Sequence, residues 1–181
     1  MPVRFKPRPV ARLAFAIAGV AFAAAGHAGT GTVTAQASVD TFCTVAASAL
    51  AFGAYDPIVA NTTAPLNNGT TGSVIITCVK GTSATIALGN GLYFAGGTRQ
   101  MRHATKPTVF LPYQLYQPPT NAAGAPCTFP GTTAWTTTSV LTTTSAPDKS
   151  SRTFRVCGTV PAGQDVEVGT YSDTVVVTVT F

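Results

Sequence analysis

The sequence predicts an all-β sandwich of immunoglobulin-like type, and three observations lead there. Apolar residues recur at every second position in short runs, the period of a half-buried strand, and beyond residue 28 no stretch shows a helical period. Gly, Pro and Asn punctuate these runs as turns would. Four cysteines, Cys43, Cys78, Cys127 and Cys157, all lie beyond residue 28, as in exported domains closed by disulfides. A length of 181 residues suits one domain with a real core.

The front of the chain stands apart from that pattern. MPVRFKPRPVARLAFAIAGVAFAAAGHA carries Arg4, Lys6, Arg8 and Arg12, then an apolar run from Leu13 to Ala25, then Gly26-His27-Ala28. A basic region, a short apolar run and a small-x-Ala site read as a secretory signal peptide over residues 1–28, cleaved after Ala28. The run is shorter than the roughly 18 residues of a membrane span, so no stable membrane insertion is expected. Removing the leader takes four of the eleven basic residues and none of the six acidic ones, and the net charge falls from +5 to +1. The basic balance is therefore a targeting feature and gives no ground for nucleic-acid binding. The remaining chain is poor in charge and rich in Thr, Ala, Gly and Val, which predicts a surface largely covered by other protein.

The strands follow in order. VTAQASV (33–39) alternates Val33, Ala35, Ala37 and Val39 on one side, ahead of the first cysteine. SVIITCV (73–79) is a dense β-branched run, and ATIALG (84–89) is followed by Asn90-Gly91, a hairpin-type pair. VFLPYQLY (109–116) reads as a strand that Pro112 confines to an edge or bulge. TTAWTTTSVLTTTS (132–145) reads as a loop and polar strand anchored by Trp135, rather than as a glycosylated stalk. RTFRVCGTV (152–160) is one more strand. The last places Val175, Val177, Val179 and Phe181 on one face and Thr174, Val176, Thr178 and Thr180 on the other. Its outer edge lacks a partner later in the sequence, and such an edge invites pairing with another chain.

An even cysteine count favours two disulfides, with three connectivities open. Pairing by neighbourhood favours Cys43–Cys78 and Cys127–Cys157, each closing a loop of about 30 residues and worth on the order of 3 kcal/mol through loop-closure entropy. Zinc is disfavoured because the sequence has no C-x-x-C pair and only His103 lies beyond the leader. Asn61-Thr62-Thr63 and Asn68-Gly69-Thr70 fit the glycosylation sequon.

Chemistry is hard to find. His103 sits in RQMRHATKP among Arg99, Arg102 and Lys106, and reads as a solvated loop residue rather than a base. The acids are scattered singly; Asp165 and Glu167 read as turn residues. GNGLYFAGG (89–97) lacks dinucleotide or phosphate-loop spacing. No enzyme and no cofactor are expected.

What remains is organisation. A segment over residues 29–41 with strand alternation precedes the first cysteine and reads either as an ordinary first strand of the sandwich or as a detachable strand, and an unpaired edge strand ends the chain. Strand addition between chains would satisfy the backbone groups of both, and head-to-tail repetition would build a filament.

FCTVAASALAFGAYDP (42–57), GSVIITC (72–78), RQM (99–101), LPYQLY (111–116), Trp135 and GTVPAGQDVEVGTYSDTVVVTVTF (158–181) together resemble the spore coat protein U domain family. That family includes the Csu-type pilins of archaic chaperone–usher pili. The resemblance implies an incomplete immunoglobulin-like β-sandwich, residues 42–181, completed by donor-strand exchange. A periplasmic chaperone would first lend a strand; at an outer-membrane usher, the segment of an incoming subunit would replace it. The implied donor strand is Thr32–Thr41, with Val33, Ala35, Ala37 and Val39 as plugging side chains. The implied acceptor edge includes Val175, Val177, Val179 and Phe181, and Cys43–Cys78 is the family-like disulfide. One domain plus a donor segment implies a shaft or adaptor subunit of an extracellular pilus serving attachment and biofilm formation.

Two alternatives stand beside the pilin. One is a secreted spore-coat or matrix protein of the same fold that forms no pili. The other is a self-sufficient carbohydrate-binding sandwich that stacks sugars on Tyr93, Phe94, Tyr113, Tyr116 or Trp135.

Overall fold

Eleven strands and no helix make up residues 29–181, the part of the chain that the computed structural model describes. The expected leader, residues 1–28, lies outside these described residues. Taken by itself, the stretch 29–37 is exposed throughout and has no regular pairing. The body, residues 38–181, holds all the strands. They are β1 (Cys43–Ser48), β2 (Leu66–Asn68), β3 (Ser73–Cys78), β4 (Thr85–Leu88), β5 (Arg99–His103), β6 (Phe110–Tyr116), β7 (Leu141–Thr142), β8 (Arg152–Arg155), β9 (Cys157–Val160), β10 (Tyr171–Ser172) and β11 (Val177–Thr180).

All pairings between strands are antiparallel and form three sheets, ordered β1-β3-β8, β10-β5-β6-β9-β2 and β11-β4-β7. Alternation decides which side chains turn inward. Val74, Ile76 and Cys78 of β3 are buried between half-exposed neighbours, and Ile86 and Leu88 of β4 repeat the pattern. With Leu111, Leu115, Phe154 and Val160 they form one core drawn from all three sheets. Cys43 bonds Cys78 at paired positions of β1 and β3, and Cys127 bonds Cys157 at the start of β9. Trp135 is fully buried, and its Nε1 donates to the Ile86 carbonyl at 2.8 Å. Its Thr-rich segment is thus part of the fold.

Three local expectations change. RTFRVCGTV is one continuous run of alternation but two strands: β8 pairs with β3, then the chain passes through Val156 and β9 joins β6 in another sheet. Residues 171–180 do the same, with β10 on β5 and β11 on β4. Asn90-Gly91 makes no hairpin, because β4 pairs with β11 and β7 while β5 lies in a different sheet. Gly91 takes a positive φ of 85° and turns the chain between sheets instead. Pro112 lies in β6, which has neighbours on both sides. The β9 ladder, however, reaches only Gln114–Tyr116, so at Pro112 the strand has the local one-sided edge that proline tolerates.

Candidate strand-acceptor groove

Among the described residues six strands end a sheet with one neighbour each, and two of them, β1 and β11, keep apolar rows half covered. β1 pairs only with β3, and five of its six residues are exposed. In its register Val45 and Ala47 lie opposite Ile76 and Val74, so they share the inward face, yet both are exposed where their partners are buried. β11 pairs only with β4, with Val177 and Val179 opposite Leu88 and Ile86. Val175, Val177 and Val179 pack against the core but stay partly exposed. The structure therefore brings three of the expected edge residues onto one apolar row. Phe181 stacks edge to face on Phe42, with centroids 6.3 Å apart.

A cavity of about 630 Å³ lies between residues 50–58, just beyond the end of β1, and residues 166–169. Leu66, Met101, Leu111 and Val160 line its floor. Leu50 and Phe52 approach so closely over Gly158 of β9 that any side chain there would displace them. Phe52 completes the wall by packing edge to face on Tyr113, at 6.0 Å.

Both walls are held by polar contacts. Beyond residue 55 a tight turn is closed by Asp56, whose carboxylate accepts the amides of Ile58 (2.9 Å), Val59 (3.0 Å) and Ala60 (3.3 Å). Those amides, Val59 foremost, hold the Asp56 carboxyl below the usual carboxylate range. Asn61 answers from the other side, its Oδ1 accepting the Asp56 amide at 2.9 Å.

The opposite wall hangs on the β5–β6 hairpin. The Ala104 amide donates to Thr170 O at 2.8 Å, Tyr171 Oη donates to Glu167 O at 2.7 Å, and Lys106 pairs with Glu167. His103, read from sequence as a solvated loop residue, is buried and belongs to this support. Its Nδ1 accepts the amides of Thr105 and Lys106, both at 3.1 Å, so the proton sits on Nε2 and is donated to Val168 O at 3.1 Å. Pairing at the end of β5 draws the ring inward and spends both nitrogens on backbone. Gly169 lies directly against that ring, and a methyl there would collide with Nε2. Gly169→Ala is expected to lower stability by about 1–3 kcal/mol, read by urea denaturation. An unchanged midpoint would show that the wall yields freely.

A buried polar cluster sits where the last strand changes sheets. Arg99 is buried and donates to Gly89 O (2.7 Å from Nη2), Trp135 O (2.7 Å) and Leu88 O (3.3 Å). Asp173, between β10 and β11, accepts Tyr113 Oη at 2.6 Å and the amides of Leu92 (2.9 Å) and Thr174 (2.8 Å). Burial lowers the Arg99 pKa against the pull of Tyr113 and Asp173, and burial with the Asp173 bond pushes Tyr113 well above the ordinary phenol range. These groups are bonded to one another and to backbone from several strands.

Val33 and Val39 of the expected donor row are 97% and 81% exposed, and Ala35 and Ala37 are exposed with them. Of the aromatics considered for sugar stacking, Trp135 and Tyr113 are buried and Tyr93 lies under the Arg102 guanidinium at 4.5 Å. Asn61 of the first sequon is buried with its amide bonded at both ends, Nδ2 donating to Ala64 O at 3.1 Å. Among the described residues no cluster of His, Cys, Asp or Glu is arranged to hold a metal ion. No helix among them is long and apolar enough to cross a membrane. Sequence reading missed the walls at 50–58 and 166–169, which lack strand alternation. The one available signal was the isolated apolar residues Leu50, Phe52, Val166 and Val168 amid Gly, Ala and acids.

The Spore Coat Protein U domain matches residues 29–178. Protein U of Myxococcus xanthus is 36% identical over 183 residues, covering 95% of this chain and 96% of that protein. Among solved structures, the CsuC–CsuE chaperone–tip adhesion subunit pre-assembly complex from archaic chaperone-usher Csu pili of Acinetobacter baumannii contains a chain of similar fold. The TM-score is 0.51 at 24% identity, over 79% of this chain and 40% of that one. This chain thus spans two fifths of the solved chain's length, and the likeness speaks for the all-β fold. With the family's domain running through both walls of the groove, and a relative alignable over nearly the whole length, the chain belongs to the Spore Coat Protein U domain family.

Proposed function

We propose that the chain is a structural subunit, shaft or adaptor, of a chaperone–usher pilus, exported through the periplasm and polymerising head to tail by donor-strand exchange. The observation that carries this reading is the pair of one-sided strands, β1 and β11, with inward-facing apolar rows left partly uncovered between them. A strand laid in that gap would find free backbone groups on both sides and an apolar floor. Residues 29–41 match it in kind: outside any strand pairing and, over 33–39, apolar at every second position. Thirteen extended residues span about 40 Å, long enough to run the length of such a groove. The donor row is Val33, Ala35, Ala37 and Val39; the acceptor row is Val175, Val177, Val179 and Phe181.

A periplasmic chaperone would occupy the groove before assembly and an outer-membrane usher would oversee the exchange; the product would serve attachment and biofilm formation. The full-length chain is expected to form concentration-dependent polymers, seen by light scattering, and a V33D/V39D chain to stay monomeric. Equal polymerisation by both would sink the proposal.

A second reading, a spore-coat or matrix protein assembled without a pilus, is favoured by the family's description and by Protein U. Chaperone and usher genes beside this one would decide for the pilus.

A further inference from the structure

Between Val39, the last plugging side chain of the proposed donor, and Phe42, at the start of the body, lie only Asp40 and Thr41. The three extended steps from Val39 to Phe42 reach about 10 Å. A subunit that lends its strand must therefore press its own body against one end of the acceptor's groove, and the two ends differ. At one, Phe42 and Phe181 stand together, 59% and 48% exposed. At the other, Ile58, Val59 and Val168 are 82%, 75% and 98% exposed, with Ile58 and Val168 on the rim of the cavity.

The Ile58–Val59 tip is no loose loop. Three amides to Asp56 and the Asn61 bracket fix the turn, so its aliphatic side chains are held outward. Apolar side chains clustered and held in water mark a surface that another protein covers. Direction follows from the chain itself. Each subunit's own donor segment leaves from Phe42 and must reach the next groove, so an incoming body placed at that end would crowd it. The aliphatic end is free of this conflict.

We propose that Ile58, Val59 and Val168 form an apolar seat for the Phe42–Phe181 end of a second copy of this chain, whose strand fills the adjoining groove. The inference rests on the donor-strand reading and adds a body-to-body contact to it. Each junction then joins an aromatic end to an aliphatic one, and the contact repeats along a filament.

The test uses the full chain and two readouts. One is the concentration of half-assembly, by light scattering, of the wild type and of a V59D chain, Val59 being the member of the seat that does not line the cavity. The other is the affinity of a labelled 29–41 peptide, which has a donor strand but no body, for the same acceptors carrying V33D and V39D to silence their own donors. Placing a carboxylate on the seat is expected to raise the half-assembly concentration about tenfold or more while peptide affinity stays within about twofold. Unchanged assembly with intact peptide binding would overturn the seat and leave the donor reading standing. A parallel loss of peptide affinity would also overturn it, placing Val59 in the groove itself. An unsubstituted acceptor that fails to bind the peptide would remove the donor reading, and the seat with it.

Discussion

A body beginning at Phe42 is expected to melt about 5–15 °C higher when saturated with a peptide of residues 29–41. The figure comes from linkage: ligand at 100 to 1,000 times its Kd stabilises by about 3–4 kcal/mol, and each kcal/mol moves Tm by about 2–4 °C in a domain of this size. The physical source is the half-covered row of Val175, Val177 and Val179 together with Val45 and Ala47 of β1. Burying those side chains against Val33, Ala35, Ala37 and Val39 removes apolar surface from water on both partners and pairs two open strand edges at once. A peptide with V33D and V39D would place carboxylates against that row and is expected to give no rise. The decisive contrary result is a body that melts cooperatively at high temperature alone and ignores the peptide, for its sandwich would then be complete without a lent strand.

The largest single-residue loss is expected at Asp173, on the crossing between β10 and β11. Asp173→Ala strips partners from Tyr113 Oη and from the amides of Leu92 and Thr174, and takes away a negative charge that supports buried Arg99. Leaving the Tyr113 hydroxyl without its charged acceptor, and weakening the field around Arg99 while its carbonyl partners remain, costs about 2–3 kcal/mol, measurable by urea denaturation. A loss under about 1 kcal/mol would mean that water replaces the carboxylate and the crossing is held elsewhere. The same cluster predicts an alkaline limit. Tyr113 is pushed upward by burial and by its bond to Asp173, so the folded state keeps a proton that the unfolded chain releases. Its contribution is fully present below about pH 10, the ordinary phenol value, and is lost as pH rises from there toward the raised folded value. Tyr113→Phe is expected to be less stable at neutral pH and to show a flatter alkaline decline.

Much of this architecture was legible in the residues because strand alternation is a local signal. Val74-Ile75-Ile76-Thr77-Cys78 and Thr85-Ile86-Ala87-Leu88 announce their inward faces, and the same alternation in Val175–Phe181 marks an apolar row at the end of the chain. Trp135 stood out as the only tryptophan, and a full set of four cysteines pointed to two bridges. The walls at 50–58 and 166–169 were not legible. They have no strand period, and they become walls only because Asp56, His103 and Tyr171 bond them in place from other parts of the chain.

The sequence by itself determined the strand faces, since alternation needs no knowledge of distant partners. It also determined that a segment alternating over 33–39 precedes the first cysteine. Only the tertiary structure decided that Val156 and Asp173 carry single runs from one sheet to another, because β-alternation continues unbroken across a change of partner. It alone decided that β1 keeps a free side as the last strand does, since an open edge depends on which strands lie beside it. And it alone made His103 a buried support, because a ring's burial is set by what packs over it.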